Sequence, residues 1–277
     1  MIDALSRLAG HALDILPLAA LCILAGFAAR GSAALAVAWR GRREFSTNLG
    51  IWLTDIAVVA PLVIVPAAFL TREIPAPAAL VTLWQGVPPV VVALAALLAG
   101  DLIGYWRHRC EHNRWIWPAH AVHHSDEEMG WSAVYRIHPL NRLSTVTIDV
   151  FALSLLGFPP AAVALNFVVR NAWGTFIHAD LPWTLGAIGR VLISPAAHRV
   201  HHAADEALAG SNFATVFTFW DRAFGTWQSP QGLEQVATGI AGGSRGFIGE
   251  LARPFEAAKL ALQTRADRSS AEVIPQA

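Results

Sequence analysis

The sequence predicts an all-α, polytopic membrane protein with about four transmembrane helices, the last a hairpin, and a cytoplasmic histidine-rich helical cap. Three observations predict it. Hydrophobic residues make up 55% of the 277-residue chain and charged residues only 14%, against about 25% charged in a typical soluble domain. Four apolar runs lie within the first 170 residues. Ten of the eleven histidines fall between His108 and His202.

The first apolar run, Ala12 to Ala29, has a flank poor in positive charge and no clear cleavage site before Arg30, so it reads as a retained span. The second, Trp52 to Leu70, holds only Asp55 as a charge, and the third, Ala76 to Gly100, holds none. Each is long enough to cross a hydrocarbon core of about 30 Å. Prolines 61, 66, 88 and 89 are expected to kink these spans. Arg30, Arg40, Arg42 and Arg43 precede the second run while Arg72 alone follows it, so the Arg30 to Asn48 loop is expected in the cytoplasm. Three crossings then put everything after Asp101 on that side. The fourth run, Val146 to Val169, is broken by Gly157, Phe158, Pro159 and Pro160. A single crossing would separate the histidines before it from those after it, so a hairpin turning at Pro159-Pro160 is favoured. Beyond Leu251 the chain is expected to thin into a tail, helical at first and then disordered. This gives three regions: residues 1–100 of membrane helices and loops, 101–228 holding the chemistry, and a cytoplasmic tail at 229–277.

The 20 basic and 20 acidic residues balance, leaving no basic field to hold nucleic acid. Cys22 and Cys110 lie in unlike surroundings, which argues against a disulfide and for a reducing compartment.

The histidine spacing carries the chemistry. His108 and His112 are four apart, while His120, His123 and His124 form HxxHH, as do His198, His201 and His202. Residues at i, i+3 and i+4 share a helix face, so each cluster is expected to aim at one point. Two such motifs arise by chance in on the order of one in several thousand chains of this composition. His138 and His178 lie near helix ends on the same side and join the candidate ligands; His11 is assigned no role. A tetrahedral zinc needs four ligands at most, so eight to ten imidazoles point to two metals, for which iron, copper, zinc and nickel are all suitable. His108-Arg109-Cys110-Glu111-His112 also reads HxxEH, the inverted signature of a zinc metalloprotease with Glu111 as base. That alternative leaves both HxxHH motifs without a purpose. A histidine-lined zinc transporter would want polar residues within the spans, which offer almost none.

The region from Asp101 to Trp227 resembles the fatty acid hydroxylase and sterol desaturase superfamily of integral-membrane di-iron enzymes. The resemblance rests on Asp101-x-x-x-Tyr105-Trp106-x-His108-Arg109-x-x-His112, Trp117-x-x-His120-x-x-His123-His124-Ser125-Asp126 and Arg136-x-His138-Pro139. It continues in His178-Ala179-Asp180-Leu181-Pro182, Ser194-Pro195-x-x-His198-Arg199-Val200-His201-His202, Asn212-Phe213 and Trp220-Asp221-Arg222-x-Phe224-Gly225-Thr226. It implies two iron ions held by His108, His112, His120, His123, His124, His178, His198, His201 and His202, with His138 as a tenth. It further implies O2 as co-substrate, a lipid substrate that is hydroxylated or desaturated, and two electrons from a separate ferredoxin or a cytochrome b5-like donor with its reductase. The expected location is a bacterial inner membrane with the histidines facing the cytoplasm. Asn141 stands where the family often has Glu, and Asn212-Phe213-Ala214 where it often has Asn-Tyr-Gly. Asp101, Glu111 and Asp126 are candidates to orient imidazoles, Asp221 and Arg222 to form an ion pair, and Trp106, Trp115, Trp117, Trp131, Trp173 and Trp183 to form an interfacial belt.

Overall fold

The protein is seen in a computed structural model that describes residues 2–272. Among the described residues it is helical and without strands, apart from isolated bridges joining Leu192 to Phe217 and Ala203 to Thr238. Helix α1 (Ile2–Arg30) is followed by α2 (Ala33–Arg40) and α3 (Arg42–Thr54), so the expected Arg30 to Asn48 loop is helical. His11 lies on α1, with its side chain outside the described residues.

A π-helical turn, Asp55–Val59, joins α3 to α4 (Ala60–Glu73). Pro61 supplies its cause, since a proline has no N–H to donate and its ring crowds the carbonyl four residues earlier. Together Arg42–Glu73 form a helix of 32 residues, and Pro89–Glu111 one of 23; both are long and apolar enough to cross a membrane. Leu62, Val65 and Val90 on them are each more than 65% exposed.

The third apolar run is not one helix. It breaks after α5 (Ala78–Gln85) and resumes as α6 (Pro89–Glu111), because Val87 and Pro88 each precede a proline and are pushed out of the α region. Helix α6 continues past Asp101 and so carries His108 directly. The fourth run is a hairpin of α8 (Pro139–Leu155) and α9 (Pro160–His178). Its turn sits slightly earlier than Pro159-Pro160, at residues 156–159, with Pro160 opening α9. Gly157 has φ +75°, and a Cβ there would lie 2.8 Å from the Leu80 backbone, so no other residue fits the turn.

Helices α6, α8 and α9 share a core of Val92, Ala96, Leu153, Phe158, Ala162 and Val163. Ala96, Gly100 and Gly104 recur every four residues along α6 and let α9 approach closely. A Cβ on Gly100 would strike Asn166, and one on Gly104 would strike the Arg170 guanidinium.

The remaining helices form a layer across one end of this bundle. They are α7 (Trp117–His124), α10 (Pro195–His201), α11 (Glu206–Ala209), α12 (Thr218–Ala223) and α13 (Gly246–Glu272), with short 3-10 turns at Trp131–Tyr135 and Ile188–Arg190. The start of α13 is not a free tail: it packs on α3 and α7, and Phe247 fills the notch at Gly50. Fully buried Arg136 ties these parts together, donating to Glu44 at 2.5 Å and Glu250 at 3.2 Å. Residues 273–277, where the tail was expected to be disordered, lie outside the described residues. Both cysteines are free.

Candidate metal centre

Nine of the ten candidate histidines converge, in two groups. His108, His112, His120, His124 and His201 form one and His123, His178, His198 and His202 the other; within each, one ring nitrogen per residue lies within 4.8 Å of the rest. Each HxxHH motif is therefore divided between the groups rather than aimed at one point. Helix α7 gives His120 and His124 to the first and His123 to the second, while α10 gives His201 to the first and His198 and His202 to the second.

His138 joins neither group. It caps α8, its Nδ1 accepting from the Leu140 N–H at 3.1 Å while its Nε2 donates to the Leu251 carbonyl at 3.1 Å. A helix N-terminus before Pro139 needs such a cap, and this replaces the ligand role expected for it.

Four of the nine converging imidazoles are oriented by carbonyl or amide oxygens. His108 Nδ1 donates to the Phe213 carbonyl and His201 Nδ1 to the Ser211 carbonyl, each at 2.7 Å. His178 Nδ1 donates to the Gly174 carbonyl at 2.6 Å and His120 Nδ1 to Asn141 Oδ1 at 2.8 Å. A neutral imidazole carries one N–H, so each of these four presents a bare Nε2 lone pair. Those lone pairs face one another: His108 Nε2 is 3.0 Å from both His120 Nε2 and His201 Nε2. His178 Nε2 lies 3.0 Å from His198 Nε2 and 3.3 Å from His123 Nε2.

Facing lone pairs need a cation between them. Nitrogens bound to one ion at about 2.0–2.1 Å lie about 2.8–3.4 Å apart between right and tetrahedral angles, the range in which these fall. His112 Nε2 and both ring nitrogens of His202 are buried without hydrogen-bond partners among the described residues, a cost that coordination removes. Burial pushes His201 down to about 3 and holds His120, His123, His124, His198 and His202 below the usual histidine range, so they stay neutral, as metal ligands must be. The donor set thus fits two metal ions of the kind that accept imidazole nitrogen.

The carboxylates behave differently from expectation. Asp101 accepts from the backbone N–H groups of Val216 and Phe217 at 3.0 and 2.9 Å, holding the segment after Phe213 against α6. Asp126 accepts from Asn48 and from the Glu128 N–H. Neither touches an imidazole. Glu111 does approach one, with Oε2 at 3.4 Å from His120 Nδ1. Its Oε1 takes hydrogen bonds from Arg107 and Ser144, and it stands on the Nδ1 side of His120, away from the converging nitrogens, which does not favour the zinc-protease reading. Asp221 does not pair with Arg222: it accepts from the Phe213 and Ala214 N–H groups and from Thr226, while Arg222 lies over the Trp227 ring. Of the six belt tryptophans, Trp106, Trp115 and Trp183 are exposed.

Sequence reasoning missed Asn141, Ser211 and Phe213 as orienting groups. Asn212 holds the last two in place from a left-handed backbone at φ +52°, its side chain bridging the Ala197 and Gln228 backbones. A cavity of about 180 Å³ adjoins both groups, reaching His108 and His120 of the first and His123, His178 and His198 of the second.

Residues 93–226 match the fatty acid hydroxylase family model. The chain is 34% identical over 133 residues to alkylglycerol monooxygenase of Danio rerio, covering 48% of this chain and 29% of that protein. It is 26% identical over 170 residues to the ornithine lipid hydroxylase OlsE of Rhizobium tropici (61% and 51%) and 27% identical over 149 residues to lathosterol oxidase of Rattus norvegicus (52% and 48%). The match thus spans about half or less of each of these relatives. No solved structure matches the chain. From residue 93 to residue 226, across every histidine of the two groups, the chain carries a domain of the fatty acid hydroxylase family.

Proposed function

We propose that this protein is an integral-membrane di-iron oxygenase that hydroxylates an aliphatic C–H of a lipid, with residues 101–228 as its catalytic region. The observation that carries the reading is the pair of histidine groups whose Nε2 atoms converge to about 3 Å. The five histidines of the first group and the four of the second hold the two irons. Bound there, iron supplies the reduction and activation of O2. The overall reaction consumes O2, two electrons and two protons per C–H, and yields one alcohol and one water. The electrons come from a separate ferredoxin or cytochrome b5-like donor.

The chain's own residues do the rest. Carbonyls of Ser211, Phe213 and Gly174 and the Asn141 amide keep each Nδ1 protonated and each Nε2 free. Burial under α7, α10 and α13 keeps bulk water from the imidazoles, and the adjoining cavity receives the substrate. The Arg30 to Arg43 cluster supports a histidine layer on the cytoplasmic face of the inner membrane. Three lipid-acting relatives support a lipid substrate, and the names of two of them, a monooxygenase and a hydroxylase, favour hydroxylation over desaturation.

The test is iron analysis and Mössbauer spectroscopy on detergent-purified protein grown on iron-57, paired with lipid mass spectrometry with and without expression. Two coupled irons per chain and a lipid product heavier by one oxygen are expected. A single tight zinc, with no iron after anaerobic reconstitution, would overturn the reading.

A further inference from the structure

Helix α13 has three unlike sides. On the first, Glu250, Arg253 and Pro254 are buried, and Glu250 takes both Arg136 and Arg253. The second is apolar and bare. Ile248, Phe255 and Leu262 recur every seven residues and are each more than 60% exposed, with Leu251 and Ala258 between them. At about 100° per residue these five fall within a strip about 80° wide and about 21 Å long. The third side borders the strip and is polar, with Glu256, Lys259 and Gln263 exposed.

The helix lies across the spans rather than along them. Phe247 sits in the notch at Gly50 of α3. Eight residues on, Phe255 rests against His138 at the start of α8, ring centroids 5.9 Å apart, and the Leu251 carbonyl accepts from the same imidazole. Asp55 and Arg142 pair at 3.0 Å and fix α3 and α8 in depth relative to each other. Gly50 precedes Asp55 by five residues and His138 precedes Arg142 by four. Both contact points therefore stand about 6–8 Å to the same side of that pair. A helix that joins two points of equal depth runs parallel to the membrane surface.

The strip is also continuous with the surface that the spans turn to lipid. Leu140 and Leu143, exposed on α8, follow directly on the His138 that Phe255 touches. Five residues fall far short of the roughly 20–30 a side of a stable protein interface, whereas a helix with one apolar and one charged side is the form that lies in a membrane surface. Lys259, the chain's only lysine, stands at the border of the strip, where its stem covers apolar surface while its ammonium reaches headgroup phosphates.

We propose that α13 is an in-plane membrane helix: the strip of Ile248, Phe255 and Leu262 is sunk into the boundary between headgroups and acyl chains at the histidine end of the bundle, with Lys259 at the level of the phosphates. Helix α13 packs on α7, which carries His120, His123 and His124, so the bilayer surface itself braces the histidine layer. The inference rests on the integral-membrane reading and on no step of the oxygenase chemistry.

Depth measurement by fluorescence quenching tests it. Both native thiols are free, so the background is Cys22→Ala with Cys110→Ser. Single cysteines replace Ile248, Phe255, Leu262, Glu256, Gln263 or Leu260 and carry the fluorophore NBD. Full-length, metal-loaded protein is reconstituted into vesicles of phosphatidylcholine and phosphatidylglycerol. Quenching by doxyl groups along the acyl chains is compared with quenching by aqueous iodide. Labels at Ile248, Phe255 and Leu262 are expected about 5–10 Å inside the headgroup boundary, and those at Glu256 and Gln263 in water. Leu260 is apolar and as exposed as the strip but lies on the other side of the helix, so its label should also read as aqueous. A label at Leu62, exposed on α4, should read deeper than all of these. Aqueous strip labels with Leu62 in lipid would overturn the proposal and leave the membrane reading intact, whereas an aqueous Leu62 would overturn both. Strip labels shielded from both quenchers, with self-quenching that rises with the protein-to-lipid ratio, would mean that a second copy covers the strip and would equally overturn it. Metal content is read separately on each variant, so the outcome does not depend on the oxygenase reading.

Discussion

Replacing Asn141 by leucine, which has the same branching, removes the hydrogen-bond acceptor beside His120 and leaves the nine histidines untouched. Asn141 Oδ1 accepts from His120 Nδ1 at 2.8 Å, which keeps His120 Nε2 bare and aimed at His108. Groups that orient a ligating histidine are worth about 10–100-fold in metal affinity, or about 1.4–2.7 kcal/mol. The lower end applies here, because Glu111 Oε2 already lies 3.4 Å from the same nitrogen and can take over part of the bond. The expected result is about tenfold weaker binding at one metal of two. Chelator competition on cobalt-loaded protein measures it, with two release steps of which only one shifts. Asn141→Asp restores an acceptor and should return that step to the wild-type position. Unchanged release in Asn141→Leu, or loss in Asn141→Asp as large as in Asn141→Leu, would refute the claim that this amide orients His120.

Four further outcomes follow from the same geometry. His138→Ala should leave metal content unchanged while lowering stability by about 1 kcal/mol through loss of the α8 cap, read by metal analysis and thermal unfolding. His123→Ala should release metal at lower chelator concentration than His124→Ala, since the first strips one of four nitrogens and the second one of five. Arg136→Met should cost about 3 kcal/mol in detergent denaturation, because it leaves the buried Glu44 carboxylate without its cation while Glu250 keeps Arg253. Removing the metal should lower the unfolding temperature and make it depend on added metal concentration, since the facing lone pairs lose the cation between them.

Local spacing made part of this legible. Histidines at i, i+3 and i+4 mark themselves, and the Gly-Phe-Pro-Pro stretch signalled the α8–α9 turn. The division of each HxxHH between two groups did not follow from spacing, because it depends on which side of the helix each group lies, a matter of tertiary packing. The orienting carbonyls of Ser211, Phe213 and Gly174 were invisible, since every residue has a carbonyl and only its placement matters. The departure from the family pattern at Phe213 is therefore of little consequence to His108, which uses the backbone there. Two other features left signals in the sequence. Val87-Pro88-Pro89 forbids a continuous helix, and Ala96, Gly100 and Gly104 at intervals of four mark the face that α9 approaches.

The paired HxxHH motifs also account for why this fold holds two groups rather than one. At about 100° per residue, positions i and i+4 lie about 40° apart on a helix, and i+3 lies about 60° to the other side of i. One such helix thus presents a two-histidine edge and a one-histidine edge. Helix α7 turns its two-histidine edge, His120 and His124, to the first group, and α10 turns its own, His198 and His202, to the second. Each supplies its single histidine, His123 or His201, to the opposite group. The exchange gives both groups three nitrogens. What distinguishes them is the bundle beneath: α6 adds the pair His108 and His112, four apart, whereas α9 adds His178 alone. One turn before His178 stands Gly174, which lines the cavity and gives its carbonyl to His178 Nδ1. The group with fewer nitrogens is thereby the one whose bundle histidine is oriented by a cavity-lining residue with no side chain.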